Sequence, residues 1–177
     1  ASFGADFELY VLRNVLVSGR VFEAAARRGT HFVYASSSSV YGDAESFPTS
    51  EDVRPKPISP YGVTKLACEH LHHALARAAA LNATGLRYFT VYGPRQRTDM
   101  ALRRMIDLTL AGAPFPLYGD GSVSRSFTYV GDVVDANLAA LFHPAPPGTA
   151  VNIANESTAS MRDLIELVGD AVGTGHH

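Results

Sequence analysis

The 177-residue chain contains one cysteine, Cys68, and no tryptophan. A single cysteine excludes a disulfide framework and a cysteine-built zinc site. Cys68 is expected to pack as a small apolar residue. No apolar run is long enough to span a bilayer and no secretory leader pattern is visible, so a cytoplasmic chain without a membrane partner is expected. Basic and acidic residues nearly balance, 15 against 17, with no basic run or patch. Nucleic acid is therefore not an expected partner. The seven histidines are scattered, without the acidic companions of a metal site, and no metal is expected. His176 and His177 read as a tag remnant or frayed tail. Lysine is the scarcest charged type: only Lys56 and Lys65 occur. The composition is otherwise globular, 46% hydrophobic and 18% charged. It suits one domain, or one domain and a small lobe.

One of the two lysines stands in an informative place. Ser59-Pro60-Tyr61-Gly62-Val63-Thr64-Lys65 reads as a helix start. Ser59 suits the N-cap and Pro60 the first helical position, where a missing N–H costs nothing. Tyr61 then sits at the positive end of the helix dipole, and Lys65 lies one turn on, on the same face. A free tyrosine titrates near ~10 and is a poor base at neutral pH. A nearby cation favours its ionised form. The pair is thus a candidate proton-transfer device, although the Tyr-x-x-x-Lys spacing by itself is common.

A companion lies upstream. Residues 31–35 are an apolar, β-prone run that leads into Ser36-Ser37-Ser38-Ser39-Val40-Tyr41-Gly42-Asp43. Hydroxyls at the carboxyl end of a parallel strand face the crevice where open α/β sheets bind ligands.

The periodicity predicts a helix over 6–28, with Leu9, Leu12, Leu16 and Phe22 roughly on one face and Gly29 as its stop. Prolines 48, 55 and 57 mark an irregular connection. The Tyr61 helix is predicted to run to about Leu81, followed by a strand from Thr84 to Phe89. This helix–strand alternation argues for a parallel sheet. Beyond Pro94 we expect a helix capped by Asp99 and ended near Gly112. A short strand over 115–118, a hairpin-type turn at 119–121 and a strand over 125–130 follow. A helix from Asp132 to Phe142, a strand over 151–154 and a last helix with a Ser160/Asp163 capping box complete the pattern. No internal repeat is visible.

The strand–Ser-Ser-Ser–Val-Tyr-Gly run followed by Pro-Tyr-Gly-x-x-Lys resembles the extended short-chain dehydrogenase/reductase family, the NAD-dependent sugar-nucleotide epimerases and dehydratases. Leu86-Arg-Tyr-Phe-Thr-Val-Tyr-Gly-Pro94 and Tyr118-Gly-Asp-Gly-Ser-Val-Ser-Arg125-Ser-Phe-Thr-Tyr-Val-Gly-Asp132 extend the resemblance over essentially the whole chain. It implies an α/β fold, a partial Rossmann-type parallel sheet with flanking helices, over residues 1–93. A small, intertwined substrate-binding lobe over 94–177 is implied with it. The family's Gly-x-x-Gly-x-x-Gly turn, where the dinucleotide pyrophosphate meets a helix N-terminus, is absent. The sequence therefore looks like a fragment or a truncated product.

The resemblance implies NAD as cofactor and C4 epimerisation of a UDP-sugar, UDP-glucuronate or UDP-glucose/galactose, as the reaction. Tyr61 matches the base, Lys65 the group that lowers its pKa and holds the nicotinamide ribose, and Ser37 the catalytic Ser/Thr, with Ser36 as the alternative register. Cofactor contacts are implied for Asn14, Ser36, Tyr61, Lys65, Tyr88 and Thr90, and substrate contacts for Ser38, Thr90, Arg97, Tyr118 and Arg125. Arg125 matches the clamp on the sugar-nucleotide diphosphate, and Tyr118 is a candidate to stack on uracil. Gln96-Arg97-Thr98-Asp99-Met100 resembles a run of UDP-glucuronate 4-epimerase-like members. Ser38 and Ser39 stand where 4,6-dehydratases and decarboxylases carry carboxylates, so those reactions fit less well. A non-catalytic fragment that binds nucleotide sugar weakly, or only pairs with other subunits, is the alternative. A homodimer through helices 6–28 and 61–81 is also implied.

Overall fold

The computed structural model describes residues 5–43, 48–117 and 119–173. They fall into two units: the residues up to Phe89 together with Asp132–Ile153, and Thr90–Gly131 together with the residues from Ala154 on. Tyr118, expected at the substrate base, and the terminal histidines lie outside the described residues.

The first unit is built on three parallel strands: β1 (Phe32–Ser37), β2 (Ala83–Tyr88) and β5 (Ala150–Ile153), with β2 in the middle. In register, Ser36 pairs with Arg87 and Ser37 with Tyr88. Ala83 to Arg87 are all buried, the pattern of a strand covered on both faces. Three helical pieces form one run before β1: α1 (Ala5–Tyr10), a π-helical turn (Val11–Leu16) and α2 (Val17–Arg28). Gly29 ends the run in the left-handed conformation. Helix α3 (Pro60–Ala79) starts as its sequence dictates: the Ser59 hydroxyl accepts the Gly62 N–H, and Pro60 takes the first turn.

The core of this unit is Phe22, Ala25, Tyr34, Leu81 and Ala83, with Phe22 edge-on to both Phe32 and Tyr34. Gly85 leaves the space that Tyr34 fills, since a Cβ there would meet the phenol oxygen at 2.6 Å. Tyr34 hydrogen-bonds Nδ1 of His72 at 3.1 Å, and the Gly148 N–H donates to Nε2 at 3.3 Å. His72 is 1% exposed, and burial pushes its pKa below the ordinary value. The expected apolar stripe of the first helix holds only at its end. Phe22 is buried, whereas Leu9, Leu12 and Leu16 are exposed. A π-helical turn over Val11–Leu16 interrupts the run between Leu9 and Phe22.

The second unit has β3 (Thr90–Tyr92) parallel to β4 (Ser124–Tyr129), and β4 antiparallel to β6 (Thr158–Ser160). Its core is Met105, Leu164 and Val168, with Phe115 and Phe127 packed against them, from α4 (Ala101–Leu110) and α6 (Met161–Val172) among others. Ser160 and Asp163 form the capping box of α6. Helix α5 (Val130–Phe142) follows β4 directly. Residues 115–117 form no strand, and the β6 pairing was not legible from its three residues. Asp99 does not cap α4. Met100 holds the N-cap position without a side-chain bond, and Asp99 pairs with Arg97 instead. Among the described residues no helix is long and apolar enough to cross a membrane.

Candidate active site

The hydroxyl-bearing segment takes its shape from the end of β1. Ser37 caps a short 3-10 helix (Ser38–Val40): its hydroxyl accepts the Ser39 N–H at 3.2 Å and donates to the Ser39 hydroxyl at 3.1 Å. This turn rests on the first turn of α3. Gly62 is the contact, because a Cβ there would run into the Ser39 carbonyl oxygen. Only glycine lets the two backbones approach so closely. The glycine of the Pro-Tyr-Gly run thus brings the serine turn to the helix start that carries Tyr61.

Tyr61 is half-buried at the dipole-positive end of α3, with the Tyr10 ring packed edge-on at 6.0 Å between centroids. The Lys65 ammonium lies 5.7 Å from the centre of the Tyr61 ring and donates to the Ala35 carbonyl at 2.9 Å. Burial pushes the Lys65 pKa below its ordinary value. An ammonium has three N–H donors, so with one on Ala35 the others suit vicinal hydroxyls such as those of a ribose. Asn14 sits in the π-helical turn, and its amide donates to the Thr64 hydroxyl at 2.9 Å, which in turn donates to the Tyr61 carbonyl. The Asn14 backbone carbonyl accepts from the Cys68 thiol. Asn14 therefore braces the first turns of α3.

Ser36 and Ser37 face opposite sides of the sheet because side chains alternate along a strand. The Ser36 hydroxyl is 2% exposed and donates to Glu69, so it is committed to the core. Ser37, the other register, is 8% exposed and bonds within its own turn. Tyr88, beside Ser37 on β2, donates to Asn137 of α5 at 2.8 Å, and burial raises its pKa.

Sequence reasoning missed a buried network beneath this segment. Glu69 accepts two hydrogen bonds from Arg87, at 3.0 and 2.8 Å, and Arg87 also donates to the Tyr41 hydroxyl at 2.6 Å. Burial pulls the Arg87 pKa down, and the hydrogen bond and charge of Glu69 more than offset it. The signal was available in the sequence. An arginine inside an otherwise uncharged strand needs a buried partner, and Glu69 follows Lys65 by one helical turn.

In the second unit a cavity of about 420 Å³ is lined by Thr90, Gln96, Met100, Arg104, Phe115 and Arg125, among others. It unites Thr90 and Arg125 from the expected substrate contacts. Arg97 is not on its lining; it is exposed and paired with Asp99 at 3.1 Å. Arg104 and Phe115 are additions: two guanidinium groups and an aromatic ring share one concave surface, a combination suited to an anion that carries a flat apolar group. Ser126, next to Arg125, ties β4 to Asn155 by two hydrogen bonds.

A parallel sheet between helices, a serine turn on its first strand and a tyrosine–lysine helix start are the features of the family whose model matches residues 4–154. The chain belongs to the NAD dependent epimerase/dehydratase family. It is 41% identical over 174 residues to an uncharacterised UDP-glucose epimerase, YtcB, of Bacillus subtilis, covering 98% of this chain and 55% of that protein. A probable UDP-glucuronate 4-epimerase of Rhizobium meliloti is 38% identical over 149 residues, 83% of this chain and 43% of its own length. Among solved structures, UDP-glucuronic acid 4-epimerase from Bacillus cereus in complex with UDP-glucuronic acid and NAD superposes with a TM-score of 0.91 at 42% identity. That match covers 97% of this chain and 55% of the other. The chain spans about half the length of the curated relatives it matches.

Proposed function

We propose that this chain carries the proton-transfer residues and a sugar-nucleotide pocket of a UDP-sugar 4-epimerase, with UDP-glucuronate as substrate. The observation that carries the reading is the assembly of Ser37, Tyr61 and Lys65 on β1 and the start of α3, fixed by the Gly62–Ser39 contact. Tyr61 takes the proton from the C4 hydroxyl, and Ser37 hydrogen-bonds the same oxygen. Lys65 keeps positive charge beside the phenol as it loses its proton. NAD, whose ribose suits the remaining Lys65 donors and which Asn14, Tyr88 and Thr90 are proposed to help seat, supplies a reversible hydride acceptor. Inversion requires the hydride to return to the other face of C4 in the 4-keto sugar, while Tyr61 gives the proton back to the C4 oxygen. The pocket arginines, Arg125 and Arg104, balance the diphosphate charge. Ser38 and Thr90 offer hydroxyls to the sugar, and the uncharged Ser38-Ser39 pair supports epimerisation over dehydration or decarboxylation. Arg97, beside the cavity, is proposed to meet the substrate after exchanging Asp99 for it, and Tyr118 to stack on the base. The exposed apolar residues of α1, α2 and the turn between them, Leu9, Leu12, Leu16 and Val17 among them, support a homodimer through this run and α3.

The second reading is a chain that binds nucleotide sugar without turning it over. Calorimetric titration with NAD, followed by conversion of UDP-glucuronate, separates the two. The epimerase reading expects NAD binding and turnover that Tyr61→Phe abolishes while leaving UDP-glucuronate affinity within about twofold. Binding of UDP-glucuronate without NAD binding selects the second reading, and turnover that survives Tyr61→Phe overturns the base assignment.

A further inference from the structure

The hydroxyl-bearing turn Ser37–Val40 is bracketed by two residues that point the other way, into the core. Before it, Ser36 donates to Glu69 Oε1 at 2.5 Å. After it, the Tyr41 hydroxyl accepts from Arg87 Nη1 at 2.6 Å, with the Tyr41 ring 5.0 Å from the guanidinium carbon. Glu69 and Arg87 are joined to each other by two hydrogen bonds and are each about nine-tenths buried. Tyr41 donates onward to Asn152 of β5 at 2.8 Å. One ion pair thus grips both ends of a four-residue turn, while Gly62 and the fully buried Val40 hold its middle.

A buried pair is a poor source of stability, because desolvation consumes most of its Coulomb gain. It is a good source of direction. The guanidinium fork donates in fixed, coplanar directions, and a carboxylate accepts along defined ones. We propose that Glu69 and Arg87 are positioning residues, a clamp that sets the orientation of the Ser37–Val40 turn through Ser36 and Tyr41. The proposal deepens the epimerase reading and rests on it for its catalytic meaning: the clamp aims the Ser37 hydroxyl at the substrate oxygen.

Amide hydrogen exchange on the full chain tests this without ligand or turnover. Tyr41→Phe and Ser36→Ala each delete one arm and leave both charges paired. The Ser39 and Tyr41 amides, which close the turn onto the Ser37 hydroxyl and the Ser38 carbonyl, are expected to exchange roughly tenfold faster, or more, in each variant. Amides in β2 and in α3 beyond Glu69 stay within about twofold, because opening is local. Arg87→Lys keeps the charge and loses the fork, so it is expected to loosen the turn in the same way. Unchanged exchange at Ser39 and Tyr41, or equal acceleration across the whole unit, would overturn the clamp. In a turnover assay the arm deletions are expected to lower kcat about 10- to 100-fold at constant KM, the scale of a misplaced reacting group. An error in the epimerase reading would appear as no turnover in the parent chain, and the exchange result would stand apart from it.

Discussion

Burial acts on Lys65 and His72 in the same direction and with different consequences. Lys65 loses water yet keeps one carbonyl partner, so its proton is more easily given up than that of an exposed lysine. Lys65→Met removes that proton and the charge beside Tyr61, and turnover is expected to fall about 100-fold or more. A pH–rate profile checks it, because the variant no longer holds the Lys65 ammonium, whose pKa burial lowers. Arg125→Ala removes one of two cavity arginines, and UDP-glucuronate affinity is expected to fall about 10- to 100-fold in calorimetry, as for loss of a charge-assisted contact. His72 carries a different prediction. Its folded pKa lies below the unfolded value of about 6.5, so the unfolded chain binds the proton more readily. This contribution to stability is complete above that pH and is lost as pH falls below it. The melting temperature should drop between pH 7 and 5, and less so in His72→Gln. At this scale the sequence showed what is local. Ser59, Pro60, Tyr61 and Lys65 could be read because capping and the i,i+4 relation need no fold. For Glu69, Arg87 and Tyr41 the local signal is only that Arg87, inside an uncharged strand, needs a buried partner; which groups meet is decided when a helix, a central strand and a loop come together.

Elements were legible where a single period governed them. Strands β1, β2, β4 and β5 and helices α3, α5 and α6 stand close to their expected spans. The long first helix was legible in extent but not in facing: Leu9, Leu12 and Leu16 are exposed and Phe22 is buried. Short pieces failed for another reason. A three-residue strand such as β6 is fixed by its partner β4 rather than by its own residues. The contact between the serine turn and α3 gives an element-scale prediction. Gly62→Ala places a methyl group against the Ser39 carbonyl, and separating the two elements is expected to cost about 1–3 kcal/mol, as overpacking does. Thermal or urea unfolding measures it, and an unchanged midpoint would mean that the turn shifts at no cost.

At the scale of the molecule, the chain matches about half the length of its curated relatives and holds two units, each with its own small sheet and core. The exposed leucines of the first helical run belong at this scale too. Leu12→Glu with Leu16→Glu puts charge on the face proposed for a second copy, and sedimentation is expected to show a lighter species than the parent. The scarcity of lysine has a further use. With only Lys56 and Lys65 in the sequence, and Lys65 half-buried with a depressed pKa, acylating or reductive-methylating reagents meet two amino side chains of contrasting character. Peptide mass spectrometry can follow each separately, with exposed Lys56 as the internal reference. A dinucleotide that occupies the Lys65 donors would shield that amine and leave Lys56 unchanged. The one lysine at the candidate site is thus a built-in covalent footprint of cofactor occupancy.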